Sequence, residues 1–113
     1  MHLAEHISGE VAVVTLNGEL LDEEDENVLD QEIRSLTSDN ISKIILDLGK
    51  LNRINSQGLA ALLSAVKYVR NKGGDIRIAS LDEHINSIFA MTRLVRIFDT
   101  YETVDRAVAS YVR

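Results

Sequence analysis

The sequence has no cysteine, no proline and no tryptophan, and only three tyrosines and two phenylalanines among its 113 residues. The missing cysteine excludes a disulfide framework, a thiolate zinc site and a cysteine nucleophile together. Without proline there is no polyproline linker and no Pro-rich ligand motif. With aromatics at 4%, the core has to come from the aliphatic residues that dominate the 45% hydrophobic fraction. No apolar run reaches the roughly 18 residues needed to cross a bilayer. The start Met1-His2-Leu3-Ala4-Glu5-His6 lacks the basic and then apolar order of a secretory signal, so the expectation is a cytoplasmic protein with no membrane span. Eighteen acids against twelve Lys and Arg give a net charge of -6. Affinity for phosphate backbones comes from clustered cations, so direct nucleic-acid binding is not expected, whereas a protein partner with a basic face fits.

What is present is an alternation of aliphatic runs. A chain of this length buries roughly two-thirds of its unfolded surface, and with no repeat or linker-like stretch, residues 1–113 read as a single domain. Val11 to Asn17 is a β-branched run stopped by Gly18, and Leu3 to Ile7 is a short strand paired with it across Ser8-Gly9. The five acids Asp22 to Glu26 precede Val28, Leu29, Ile33 and Leu36, an apolar helix face with acids in its first turn, where the helix dipole favours them. Lys43 to Leu48 reads as a buried strand ended by Gly49. Leu59, Leu62, Leu63, Val66 and Val69 keep helical spacing between Ser56 and Lys72, and Gly73-Gly74 stops that helix. Asp75-Ile-Arg-Ile-Ala79 alternates as a third strand. Ser80 to Glu83 and Asp99 to Glu102 have capping-box spacing and predict two more helix starts, with a short strand near Ile97-Phe98 between those helices. Strands separated by single helices imply an α/β fold with a largely parallel sheet and an antiparallel first hairpin.

The chemistry concentrates in Leu51-Asn-Arg-Ile-Asn-Ser-Gln-Gly-Leu59, between a strand end and a helix start. In open α/β sheets the loops beyond the carboxyl ends of strands form the functional edge. Asn55 or Ser56 caps the helix there, and Gly58 leaves room for a close approach. On spacing alone Ser56 is either part of an ordinary helix start or a phosphorylatable, anion-binding serine whose phosphate would meet the free N–H groups of the first turn.

From Val11 to Val112 the sequence resembles the STAS domain, in particular the bacterial anti-sigma factor antagonists. The resemblance is carried by Leu16-Asn-Gly-Glu-Leu20, Ile44 to Leu48, Ile54-Asn-Ser-Gln-Gly-Leu59, Lys72-Gly-Gly-Asp75, the run Leu81 to Phe98 and the ending Tyr101 to Val108. It implies a STAS fold with a central mixed, mostly parallel β-sheet and about four α-helices. It also implies a binding module rather than an enzyme, with no cofactor. In those antagonists the loop usually reads Asp-Ser-Ser-Gly-Leu or Asp-Ser-Thr-Gly-Leu, and its first serine, matched here by Ser56, is phosphorylated by the anti-sigma factor, a serine kinase. The implied cycle is binding of that kinase by the unphosphorylated protein, release on phosphorylation, and reset by a PP2C-type phosphatase. Here Asn55 replaces the usual Asp, Gln57 replaces a small residue, and Arg53 stands where an apolar or aromatic residue is common. Arg53 is read either as a solvated cation or as a partner for a phosphate on Ser56. Glu19 and Asp22, near the same edge, join Arg53, Asn55, Gln57 and Gly58 as candidate partner-binding residues.

Other features carry less. The acidic block has no Asp-x-Asp-x-Asp-Gly pattern for a hard cation. His2, His6 and His84 belong to no metal or catalytic motif, Lys72-Gly73-Gly74 is a helix stop, and Met91 reads as packing. Two rival readings remain: a STAS subunit supporting a lipid ABC transporter, which Arg53 and Gly58 to Leu62 also resemble, and a scaffold or nucleotide-binding STAS domain without a phosphate switch.

Overall fold

A tight turn at Gly9, whose φ of 60° is in the left-handed region, folds β1 (His2–Ser8) back on β2 (Val11–Leu20) as an antiparallel hairpin. The computed structural model describes residues 1–93 and 96–112. After β2 the chain alternates: α1 (Glu23–Ser38), β3 (Lys43–Ile54), α2 (Ser56–Asn71), β4 (Asp75–Ala79), α3 (Glu83–Met91), β5 (Asp99–Tyr101) and α4 (Val104–Tyr111). The five strands lie in sequence order in one sheet, and every pair after the first is parallel. Leu94 and Val95, within the run Leu81 to Phe98 that resembles the family, lie outside the described residues.

Pleating divides the strands between two cores. Ala12, Val14, Leu16, Ile44, Leu46, Leu48, Ile76 and Ile78 face α1, α2 and α3, whose Leu29, Ile33, Leu62, Val66, Ile85 and Phe89 complete the larger core. Val11, Val13, Ile45 and Ala79 face the other way, onto Ala107 of α4 and the half-buried Tyr101, Val104 and Tyr111. Burial on both faces explains why Val11 to Leu16 and Ile44 to Leu48 are apolar at nearly every position. α4 is fastened by polar contacts as well. The Tyr111 hydroxyl donates a shared hydrogen bond to the carbonyls of Ile44 and Asp75, each 2.9 Å away, and Arg77 lies over the Tyr111 ring and bonds Ser110. Burial, reinforced by the Asp75 charge, pushes the Tyr111 hydroxyl pKa up, so it remains a donor.

Two strands outrun the sequence reading. β2 continues through Gly18 to Leu20, and β3 continues through Gly49 to Ile54. Their parallel register shifts between Thr15 and Asn17 and again between Gly18 and Glu19, each time with the additional residue on β3. The glycines therefore mark irregularities within the pairing rather than strand ends, and Gly18 supplies a φ of 113° that a side chain would strain. Asp47 pins the first irregularity: its Oδ1 accepts from Gly49 N–H at 3.0 Å and its Oδ2 from the Thr15 hydroxyl at 3.2 Å.

Both predicted capping boxes are misplaced. Ser80 has a φ of 66° and does not cap α3; Asp82 does, its carboxylate accepting from Ile85 N–H at 2.7 Å. Asp99 opens β5, opposite Arg77, and Thr103 caps α4, so the last strand falls just after Ile97-Phe98. In both places a second capping residue nearer the apolar face competes, and strand pairing chooses between them.

At the sheet edge, an acid of β1 and an acid of α1 influence each other. Glu5 pairs with Val14, so it faces the larger core and the helix over it. Glu32 Oε1 is shielded from water and has no hydrogen-bond donor among the described residues. Two carboxyls bond each other only when they share a proton. The hydrogen bond with Glu5, then burial, then repulsion by Glu5 raise the Glu32 pKa to about 7. Folded Glu32 thus binds its proton more tightly than an ordinary carboxyl. This stabilisation is complete below the ordinary value of 4.5 and is lost as pH rises through about 7. Glu32→Gln, whose amide donates to Glu5 at any pH, should exceed the parent in stability at pH 8 by about 1 kcal/mol, since solvent screens a pair that is only partly buried. At pH 4.5 the two should be level. Urea unfolding across this range checks it, and parallel stability curves for both proteins would refute the shared proton.

Candidate functional site

β2 and β3 run on together past the end of β4, and the helices that follow them, α1 and α2, both start at this projecting corner. Leu20 and Ile54, the last residues of the two strands, are buried register partners. The chain then turns outward on each side and forms a helix cap almost at once.

On the β2 side, Asp22 is the cap of α1, its carboxylate accepting from Asp25 N–H at 2.9 Å. Asp25 reaches back to accept from Leu21 N–H at 3.0 Å, and this bond holds its carboxyl below the usual carboxylate range against the opposing effect of burial. The acidic block therefore has internal structure: Asp22 and Asp25 satisfy backbone N–H groups at the helix entrance, while Glu23 and Glu24 are exposed charge at the positive end of the dipole. Among the described residues no three or more His, Asp or Glu side chains converge as a metal shell would require.

On the β3 side, Asn55 caps α2 from an extended conformation. Its Oδ1 accepts from Gly58 N–H at 2.9 Å, and its Nδ2 donates to the Leu21 carbonyl at 2.8 Å. One side chain thus closes its own helix and ties it to the entrance of α1. Aspartate could provide only the first of these bonds, because an ionised carboxylate has no donor. The Asn55 carbonyl takes the Leu59 N–H, so of the first four amides of α2 those of Ser56 and Gln57 have no partner among the described residues. Ser56 and Gln57 are exposed, and α2 has no acid in its first turn, unlike α1, α3 and α4.

Gly58 is buried. A Cβ there would run into the Leu20 carbonyl oxygen and come within 2.7 Å of Ile54 Cγ1. Its contribution is to seat the helix, and any effect on a partner passes through that seating. Glu19 and Arg53 are register partners, with Arg53 Nη1 3.1 Å from Glu19 Oε2. Thus Glu19, Asp22, Arg53, Asn55, Ser56 and Gln57 all belong to one corner. Reading along the chain missed Asp25, Asp47 and the Leu21 carbonyl as its supports. Asp25 lay within a block read only as helix-start charge, and the other two act across strands.

Gly58→Ala tests the seating. Alanine is the better helix former by about 1 kcal/mol, but a methyl group with no room beside a backbone carbonyl costs roughly 1–3 kcal/mol or more. Net destabilisation in urea unfolding is expected; a variant more stable than the parent would show that the helix start is loosely seated.

Residues 3–107 match the STAS domain family. The anti-sigma F factor antagonist of Paenibacillus polymyxa is 28% identical over 98 residues, covering 87% of this chain and 83% of that protein. Among solved structures, the Thermotoga maritima protein TM1081 aligns with a TM-score of 0.89 at 23% identity, covering 98% of this chain and 95% of that one. An anti-sigma factor antagonist from Mycobacterium paratuberculosis aligns with a TM-score of 0.84 at 22% identity, over 96% of this chain and 92% of its own. In sequence and in fold, then, the chain belongs to the STAS domain family, and anti-sigma factor antagonists are among its relatives.

Proposed function

We propose that this chain is an anti-sigma factor antagonist working by partner switching in the cytoplasm. With Ser56 unmodified, the corner formed by Glu19, Asp22, Arg53, Asn55, Ser56 and Gln57 binds an anti-sigma factor that is a serine kinase. Phosphorylation of Ser56 by that kinase releases the complex, and a PP2C-type phosphatase restores the binding form. The chain itself is a binding module without a reaction of its own.

The observation that carries this reading is the setting of Ser56: an exposed serine as the first residue of α2, whose own amide and that of Gln57 have no partner among the described residues. A phosphate there is stabilised by backbone donors and the helix dipole, so the fold tolerates it. A partner seated on the corner does not tolerate it as easily. It must desolvate about two additional negative charges next to the exposed acids of α1, and each 1.4 kcal/mol of that penalty is tenfold in affinity. Asn55 is compatible with the switch, because its cap and tether leave Ser56 exposed.

The test is affinity capture of partners from the source cells, followed by phosphorylation with ATP and mass spectrometry. Ser56→Ala should keep the kinase bound and take no phosphate, whereas Ser56→Asp should bind at least about tenfold more weakly. Phosphate on another residue, undiminished binding by Ser56→Asp, or recovery of a transporter ATPase with no kinase would each overturn the proposal.

A further inference from the structure

We infer that the ion pair between Glu19 and Arg53 is an exchangeable latch: a phosphate on Ser56 draws the Arg53 guanidinium away from Glu19. This rests on the Ser56 reading above and concerns how that site responds to modification. The pair closes the outer ends of β2 and β3 through a single contact, Arg53 Nη1 to Glu19 Oε2 at 3.1 Å. Its side chains are 69% and 45% exposed. A pair so open to water is held weakly, and a single-point contact leaves most of the guanidinium's donors unused. A phosphate offers three acceptor oxygens and about twice the charge of a carboxylate, in a geometry that a guanidinium grips with two parallel bonds.

Proximity favours the exchange. Arg53 and Ser56 are three residues apart, at most about 10 Å between Cα atoms, a span that an arginine and a phosphoserine can close together. Lys50, the other cation on this stretch of β3, is twice as far along the chain. The other cation placed at this corner among the described residues, the N-terminal ammonium of Met1, is buried and already paired with Asp25 at 3.3 Å. Asn55 and Gln57 are uncharged, and the bond from Asn55 to the Leu21 carbonyl holds the α1 entrance close by, with exposed Asp22, Glu23 and Glu24. Arg53 is therefore the group that offsets a phosphate beside those acids. Its departure leaves the Glu19 carboxylate unneutralised at the strand end, so one modification changes the charge presented to a partner at two points.

The test uses protein carrying phosphoserine installed at position 56 during synthesis, so that no kinase is needed. The second phosphate pKa, ordinarily near 6, is then followed by phosphorus NMR. The parent value should lie about one unit below that of Arg53→Gln, because a neighbouring cation favours the dianion. Glu19→Gln should lower it further, since Arg53 then has no competing carboxylate. Equal values in the parent and Arg53→Gln would overturn the contact, and a Glu19→Gln value no lower than the parent's would overturn the exchange. Failure to find a kinase for Ser56 would remove the proposed function and leave these titrations unaffected. Identical titrations would remove the latch and leave the switch standing.

Discussion

The first turn of α2 rests on the end of β2 so closely that Gly58 has no room for a side chain against the Leu20 carbonyl. The arrangement of the corner depends on that contact. With the helix this close, Asn55 can bond the Leu21 carbonyl while capping its own helix. The starts of α1 and α2 then become one unit rather than two neighbouring loops. Ser56 is an exposed residue of that unit.

The electrostatics of the corner follow from which carboxylates are already committed. Asp22 and Asp25 are occupied with backbone N–H groups, and the Leu21 bond holds Asp25 ionised. Glu19 is occupied by Arg53. Glu23 and Glu24 remain as exposed charge at the entrance of α1, whereas the entrance of α2 has none. The absence of acid from that one helix start leaves its dipole uncompensated where Ser56 sits. The net charge of -6 therefore says less about recognition than the uneven placement of charge between two adjacent helix starts.

Away from the corner, polar side chains fasten the outer elements. Tyr111 and Arg77 bind α4 to a sheet face that offers it only a small apolar core. On the opposite edge the Glu32 carboxyl of α1, crowded by Glu5 of β1 and partly buried, has a raised pKa. The strands of the middle need no such help, because Ile44, Leu46, Ile76 and Ile78 are completely buried.

By itself the sequence determined the number and order of the main elements, the parallel sheet and the position of Ser56 at a helix start. These follow from periodicity and from the turn chemistry of residues close together in the chain. Asn55 and Ser56 were both legible as cap candidates, but only the structure could choose Asn55, because its second bond runs to a carbonyl 34 residues away. The continuation of β2 and β3 past Gly18 and Gly49 was hidden for a similar reason. A glycine in a strand reads as an end unless the partner strand is known to carry the matching irregularity. The ion pair of Glu19 with Arg53, the brace of Asp47 to Thr15 and the effect of Glu5 on the Glu32 carboxyl each involve residues distant in sequence. A chain read in one dimension specifies local geometry and burial pattern. Which polar groups end up facing one another is decided when sheet register and helix seating fix the distances between elements.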